Sequence, residues 1–208
     1  MESAELAREV QSLRRLAAGG DRVLLGIAGA PGAGKSTVAA RVRDLLHPTA
    51  AVVVPMDGFH LGNAIIDGTP LRDRKGAPDT FDAGGYLSLL ARLARRDEAV
   101  VYAPEFRREL DEPVAASIAV PAEVPVVITE GNYLLADLPV WKDIRALLTR
   151  TWFIETPEEL RLERLVARHM AFGMDRAAAT AWAAGPDQAN ADLIQRTRAS
   201  ADVVIPWG

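Results

Sequence analysis

The segment from Gly29 to Thr37 reads GAPGAGKST and matches the spacing G-x-x-x-x-G-K-[ST], between an apolar run and a helical pattern. Glycines let the backbone turn so that successive N–H groups point at one anion, next to the positive end of the following helix. The lysine reaches the β- and γ-phosphates, the serine hydroxyl coordinates Mg²⁺, and the threonine supports the α-phosphate. The motif predicts a site for a nucleoside triphosphate, formed by Gly29, Ala30, Pro31, Gly32, Ala33, Gly34, Lys35, Ser36 and Thr37.

Two carboxylates each follow an apolar run, Asp57 after VVVPM and Glu130 after VPVVIT. Open α/β sheets place their ligand crevice at the carboxyl ends of the strands. Asp57 is therefore a candidate base for the proton of an attacking hydroxyl, although Asp-Gly is also a common turn dipeptide. Glu130 is a candidate for the Mg²⁺ shell together with Ser36, and a glutamate that binds its own turn is the alternative.

Three arginines recur at i, i+3 and i+7 after Thr156-Pro157, which places Arg161, Arg164 and Arg168 on one face of a predicted helix. Such a row of guanidinium groups could close over a triphosphate and stabilise charge on the transferred phosphoryl group. A solvated face that pairs with neighbouring glutamates is the competing interpretation. His60 is a candidate substrate contact, with a turn or packing histidine as the alternative.

The elements that position these residues alternate between strand and helix patterns. Strands are predicted at RVLLGIAG, AAVVVPM, VPVVITEG, TRTWFIET and ADVVIP, which are almost continuously apolar, as in a parallel sheet covered on both faces. Helices are predicted at about 34–46, 84–95, 157–171 and 187–199, and an amphipathic helix before Gly19-Gly20. This order predicts the three-layer α/β/α fold of a P-loop NTPase, with a mainly parallel central sheet and a helical lid. We expect a single domain over residues 1–208, with the lid at about 157–185.

The amino-acid composition narrows the classes of molecule that the protein is expected to bind. A net charge of −4 gives no general attraction to nucleic acid or to an anionic membrane. The chain has no cysteine, which excludes thiolate nucleophiles and cysteine-ligated metals. No apolar run approaches the roughly 18 residues of a membrane span, and the N-terminal residues lack the order of a signal peptide. We expect a cytoplasmic protein that binds a small molecule, and leave open whether it forms a homodimer.

The motifs MDGFHL, EGNYLL, the arginine helix and SADVVIP follow the phosphate motif in an order that resembles the phosphoribulokinase/uridine kinase family, over about residues 20 to 206. The blocks RKGAPDTFDAGGY and VYAPEFRRELDEPV look closest to its bacterial fructose-transport-system or pantothenate-kinase-like subgroup. The resemblance implies a kinase that uses ATP and Mg²⁺. It also implies an acceptor-site base at Asp57, a second-strand acidic residue at Glu130, and lid arginines at Arg161, Arg164 and Arg168.

The sequence departs from the uridine kinases of that family around the acceptor. Lys75-Gly76 stands where they carry the phenylalanine-aspartate pair that binds ribose, and Phe106-Arg107 replaces their tyrosine-aspartate pair without the base-contacting histidine. We expect a kinase for a fructose-like sugar or a pantothenate-like acid, with a nucleoside kinase or a nucleotide-dependent switch ATPase or GTPase as alternatives. The candidate substrate contacts are His60, Lys75, Phe106, Arg107 and Arg108, and solvated loop charges are the alternative for the three cations among them.

Overall fold

The computed structural model describes residues 4–208, and a parallel five-stranded sheet runs through its centre. The strands of the described chain are β1 Val23–Ala28, β2 Ala51–Val53, β3 Val100–Arg107, β4 Glu112–Pro121, β5 Val126–Glu130, β6 Arg150–Glu155 and β7 Val203–Pro206. The central sheet has the order β2-β5-β1-β6-β7. All of its neighbouring strands pair in parallel, so their carboxyl ends meet at one edge.

Helices cover both faces of the sheet. They are α1 Ala4–Ala17, α2 Lys35–Leu46, α3 Asn63–Ile66, α4 Ala83–Arg95, α5 Trp141–Leu147, α6 Glu158–Ala171, α7 Arg176–Ala184 and α8 Pro186–Gln195. One apolar cluster packs α1 and α2 against the sheet, with Leu6 and Val42 fully buried. A second cluster packs α4, α5 and α8 against the opposite face, through Leu90, Ile144 and Ile194. The predicted α/β/α layering is confirmed.

The predicted strands and helices are present, with shifted ends. The helix predicted at 187–199 ends at Gln195, and a separate 3₁₀ turn follows at Arg198–Ser200. The segment predicted as the lid contains α6 and α7, which are joined by a turn at Gly173. The predicted N-terminal helix corresponds to α1, and residues 1–3 lie outside the described part of the chain. No helix within residues 4–208 has the length and apolar character needed to cross a membrane.

The sequence patterns did not indicate the antiparallel hairpin formed by β3 and β4. It carries Pro104, Pro113 and Pro121, and proline removes a ladder hydrogen bond, which weakens the strand signal. Its inner face is nevertheless apolar, because Val101, Ala103 and Val120 join the buried cluster with α4. The hairpin packs against the 3₁₀ helix at Met56–Phe59, in the segment that follows β2.

Candidate active site

The phosphate loop joins β1 to α2 at the centre of the sheet edge, and its glycines are required by space as well as by conformation. Gly32 and Gly34 have φ angles of 80° and 91°, in the left-handed region that favours glycine. A Cβ at Gly32 would lie 2.7 Å from the carbonyl oxygen of Arg161 on the lid. A Cβ at Gly34 would lie 3.0 Å from the ring of Trp207. The loop can therefore turn closely under the lid only without side chains.

Lys35 is folded back across this loop. Its Nζ donates to the carbonyl oxygens of Gly29 at 2.9 Å and Ala30 at 3.1 Å, and to Oδ1 of Asn132 at 2.7 Å. Burial lowers the pKa of Lys35 to about 8, against the opposing effect of the charges of Glu130 and Asp57. Its direct partners are neutral oxygens, so the ammonium charge is available to a phosphate group.

Ser36 and Glu130 form the part of the site that suits a metal ion. Ser36 donates from Oγ to Oε1 of Glu130 at 2.8 Å, and Glu130 is only 5% exposed. Burial raises the pKa of Glu130, and the nearby charge of Asp57 raises it further, whereas Lys35 opposes the shift. A hydroxyl and a carboxylate are ligands that Mg²⁺ prefers, and a divalent cation would offset the buried negative charge. The two residues therefore fit a Mg²⁺ ion, held directly or through water.

Asp57 lies across the cleft from this pair, in a short 3₁₀ helix at Met56–Phe59 that follows β2. Its side chain is 39% exposed, and its Oδ2 lies 4.0 Å from Nη2 of Arg108 on the hairpin. The backbone carbonyl of Asp57 accepts a 2.8 Å hydrogen bond from Nδ1 of His60. Asp57 therefore presents a partly open carboxylate on a segment that hydrogen bonds hold in place.

His60 packs between two aromatic side chains. Its ring centroid lies 4.1 Å from that of Phe81 and 4.8 Å from that of Phe106. Burial lowers the pKa of His60, which favours the neutral imidazole. The three rings form one aromatic wall of the cleft that also contains Asp57.

A cleft of about 980 Å³ joins these groups between the sheet edge, the hairpin and the lid. Among the predicted site residues, it brings together Pro31, Gly32, Gly34, Lys35, Ser36, Thr37, Asp57, His60, Lys75, Phe106, Arg108, Glu130, Arg164 and Arg168. Burial lowers the pKa of Arg168, and the charge of Arg108 adds to the shift. Nη1 of Arg164 is buried without a hydrogen-bond partner among the described residues. Both arginines therefore bring positive charge to the cleft, and Arg164 has a donor there without a partner.

The structure places Arg161 and Arg107 outside this cleft. Arg161 is 5% exposed, donates to Oε1 of Gln188, and lies 3.4 Å from the carbonyl of Pro31. It lines a smaller cavity of about 340 Å³ on the other side of the phosphate loop. Arg107 forms a 2.9 Å ion pair with Glu105 and does not line the cleft. Arg161 therefore lines a different cavity from Arg164 and Arg168, although the three share one helix face. The reason is that the first turn of α6 lies on the side of the phosphate loop that faces away from the large cleft.

Six polar or charged residues that were not predicted as site residues also line the cleft: Glu109, Asp111, Asn132, His169, Asp187 and Asn190. Nε2 of His169 lies 2.7 Å from Oδ2 of Asp187, and this pair links the end of α6 to the start of α8. The side chain of Asn190 accepts a 3.0 Å hydrogen bond from the hydroxyl of Tyr133. Asn132 could have been identified from the sequence, because it lies two residues after Glu130 in the EGNYLL motif.

A phosphate loop on the central strand, with a second carboxylate facing it across a lidded cleft, defines the class of P-loop kinases. Comparison with known proteins gives the same class. The model of the phosphoribulokinase / uridine kinase family matches residues 24–208. The chain therefore belongs to this family, and it is a phosphotransferase that acts on an alcohol group.

Three relatives illustrate the range of the family. The crystal structure of a "putative fructose transport system kinase" from Silicibacter sp. TM1040 is 38% identical, with a TM-score of 0.82 over 93% of this chain and 98% of that one. The uncharacterized protein YggC of Escherichia coli K12 is 32% identical over 188 residues, 88% of this chain and 77% of the relative. The "putative uridine kinase C227.14" of Schizosaccharomyces pombe is 33% identical over 161 residues, 74% and 68% of the two chains.

Proposed function

We propose that the protein transfers the γ-phosphate of ATP, in the presence of Mg²⁺, to a hydroxyl group of a fructose-like sugar or a pantothenate-like acid. The observation that carries this proposal is the position of Asp57, whose partly open carboxylate faces the same cleft as Lys35 and the Ser36–Glu130 pair. Phosphoryl transfer needs charge neutralisation on one side and an oriented hydroxyl on the other. The cleft offers both.

The residues divide this work between them. Backbone N–H groups of the loop and Lys35 bind the phosphates, and Ser36 and Glu130 hold Mg²⁺, which neutralises charge on the phosphate oxygens. Asp57 accepts a hydrogen bond from the acceptor hydroxyl and takes its proton as the phosphoryl group is transferred. Arg164 and Arg168 add positive charge from the lid where charge develops on the transferred group.

The acceptor side argues against a nucleoside. Gly76 stands where uridine kinases carry the ribose-binding aspartate, and the preceding Lys75 holds its Nζ 2.9 Å from Oδ1 of Asn63 and 2.8 Å from Oδ2 of Asp111. The Lys75 side chain is 13% exposed within a local polar network, and neither Lys75 nor Gly76 offers a carboxylate oxygen to a ribose diol. The name of the Silicibacter relative supports a sugar, and the name of the fission yeast relative keeps a nucleoside kinase as the alternative.

A coupled assay of ADP release, with hexoses, pentoses, pantothenate and nucleosides as acceptors, tests the proposal. We expect one sugar or acid to stimulate ADP release well above the rate with ATP alone, and uridine and cytidine to be poor substrates. The Lys35→Ala variant should lose this signal, since it removes the cation of the phosphate loop. Efficient uridine phosphorylation would favour the nucleoside alternative, and ATP hydrolysis that no acceptor stimulates would favour a switch.

Three further expectations accompany this proposal. The single domain over residues 1–208 and the cytoplasmic location stay predictions. Whether the protein forms a homodimer stays open. Gel filtration with light scattering measures the oligomeric state directly.

A further inference from the structure

We propose that the acceptor carries an anionic group, a carboxylate or a phosphate, close to the hydroxyl that is phosphorylated, and that Arg108 binds this group. The inference rests on the proposed function and narrows its substrate class. We call the segment with Arg72, Arg74 and Lys75 and the hairpin turn with Arg107 and Arg108 the acceptor loops. The inference depends on which of these cations are already neutralised within the protein, and which one is not.

Four of the five cations in these loops have carboxylate partners close by. Arg72 lies 3.3 Å from Asp111, and Lys75 lies 2.8 Å from the same carboxylate. The other two pairs, in the acceptor loop and on the hairpin, are Arg74 with Asp79 and Arg107 with Glu105. A guanidinium or ammonium group held by a local carboxylate contributes little to binding an external anion.

Arg108 differs from these four. Its nearest carboxylate is that of Asp57, at 4.0 Å, which is beyond hydrogen-bonding distance. The structure gives its guanidinium no hydrogen bond to any residue within 4–208, although it lines the cleft. Asp57 is the proposed base, so its lone pairs are needed by the acceptor hydroxyl. Arg108 is therefore the acceptor-loop cation whose donors are free for a substrate.

An aromatic residue of the lid also contacts Arg108. The ring of Phe172, at the end of α6, lies with its centroid 5.7 Å from Cζ of Arg108. An aromatic face beside a guanidinium holds the group by a cation–π contact and displaces water from one side of it. An anion bound to the remaining edge of Arg108 would therefore meet an oriented and partly desolvated partner, which strengthens a charge-assisted hydrogen bond.

The distance between Asp57 and Arg108 limits the shape of the acceptor. Asp57 and Arg108 lie 4.0 Å apart, so a hydroxyl on Asp57 and an anion on Arg108 that approach side by side from the cleft, each at about 2.8 Å, would have their oxygens roughly 4 Å apart. In this side-by-side arrangement the hydroxyl and the anion are only a few bonds apart, as in a sugar acid, a short hydroxy acid or a sugar phosphate. This favours a sugar acid over an extended pantothenate-like acid, whose carboxylate lies at the far end of the chain from its primary hydroxyl.

Matched pairs of charged and neutral acceptors test the inference. The probes are glycerate against glycerol, gluconate against glucitol, and fructose 6-phosphate against fructose, assayed by ADP release. We expect the wild-type protein to use one charged member at least about tenfold better than its neutral match in kcat/KM, and the pair affected shows whether a carboxylate or a phosphate is bound. Arg108→Gln should lower that value about 10- to 100-fold, mainly through KM, and abolish the preference.

Arg74→Gln is the matched control, because Arg74 is exposed, paired with Asp79 and absent from the cleft lining. It should keep the preference, and both variants should bind ATP·Mg²⁺ within about twofold of wild type by calorimetry. The inference is wrong if fructose or another neutral member is used as well as its charged match, a result that leaves the proposed kinase intact. It is also wrong if Arg108→Gln keeps the preference or loses affinity for ATP instead. Failure of every probe, while ATP still binds, would count against the proposed function and this inference together.

Discussion

Ser36 donates a 2.8 Å hydrogen bond to Glu130, although the two residues are 94 positions apart in the chain. The parallel pairing of β1 with β5 brings them together, because Ile27 lies level with Glu130 at the edge where the phosphate loop begins. The two residues that sequence motifs had assigned separately to Mg²⁺ are thus neighbours in the fold. Their geometry makes the metal part of the proposal directly testable.

Glu130→Gln should weaken the dependence of ATP binding on Mg²⁺, because the amide keeps the shape of the side chain and loses its charge. We expect the affinity for ATP·Mg²⁺ to fall about tenfold or more, whereas ATP in EDTA should bind as well as to the wild type or better, since a negative charge is removed. Burial disfavours the ionised form of Glu130, so the variant should be at least as stable to heat.

Calorimetric titrations with and without Mg²⁺ measure both affinities, and Glu123→Gln, an exposed site on the loop before β5, serves as the control. An unchanged Mg²⁺ dependence in Glu130→Gln would remove this residue from the metal site.

ATP binding should be coupled to proton uptake near pH 8 through Lys35. The pKa of about 8 means that close to half of the free protein carries a neutral lysine at that pH. A bound triphosphate stabilises the ammonium form and raises the pKa, so binding should take up about half a proton at pH 8 and much less at pH 6.5. Calorimetry in two buffers of different ionisation enthalpy measures the number of protons.

The Lys35→Arg variant should lose this uptake, because a guanidinium stays charged at pH 8. Lys142→Arg, at an exposed position on α5, should retain it. Equal uptake in wild type and Lys35→Arg would show that another group titrates.

Gly58→Ala should separate the acceptor side from the nucleotide side. A Cβ at this position would lie 2.4 Å from the backbone carbonyl oxygen of Pro104 on β3, so the Asp57 segment or the hairpin must shift. We expect a loss of about 1–3 kcal/mol in the free energy of unfolding and a lower kcat/KM for the acceptor, with ATP affinity nearly unchanged.

Gly62→Ala is the matched control, since a Cβ there would meet only an ordinary contact of 3.7 Å and the φ angle of −62° suits alanine. Denaturant unfolding and acceptor kinetics measure the two effects. Equal behaviour of the two variants would mean that the packing of the hairpin does not position Asp57.

The sequence was most informative where local chemistry and local structure coincide. The run that precedes Gly29 is apolar without alternation, and every residue of β1 is buried, as a central parallel strand requires. The motif from Gly29 to Ser36 depends on spacing within one turn, so it could be recognised without knowing the fold. Asp57 and Glu130 were identified because strand ends are visible as the last apolar residues of a run.

Features that depend on distant segments could not be predicted in this way. His169 and Asp187 meet because α7 folds back between them, and neither has a local pattern that indicates a partner. The spacing of Arg161, Arg164 and Arg168 predicts that they share one helix face. It does not predict that Arg161 is buried beside the phosphate loop and lines a different cavity. The positive charge of Arg108 could be read from the sequence. That its neighbouring cations are neutralised by carboxylates could be seen only in the structure.

Asp57→Asn tests the central claim most directly, because it keeps the shape of the side chain and removes its basicity. The measurement is paired: affinity for ATP·Mg²⁺ by calorimetry, and turnover at saturating ATP with the best acceptor. If Asp57 takes the proton of the acceptor hydroxyl, kcat should fall about 10²- to 10⁴-fold, and the affinity for ATP·Mg²⁺ should be unchanged or slightly higher. Intact turnover at saturating ATP, together with weakened binding of ATP·Mg²⁺, would contradict the account and favour a nucleotide-dependent switch.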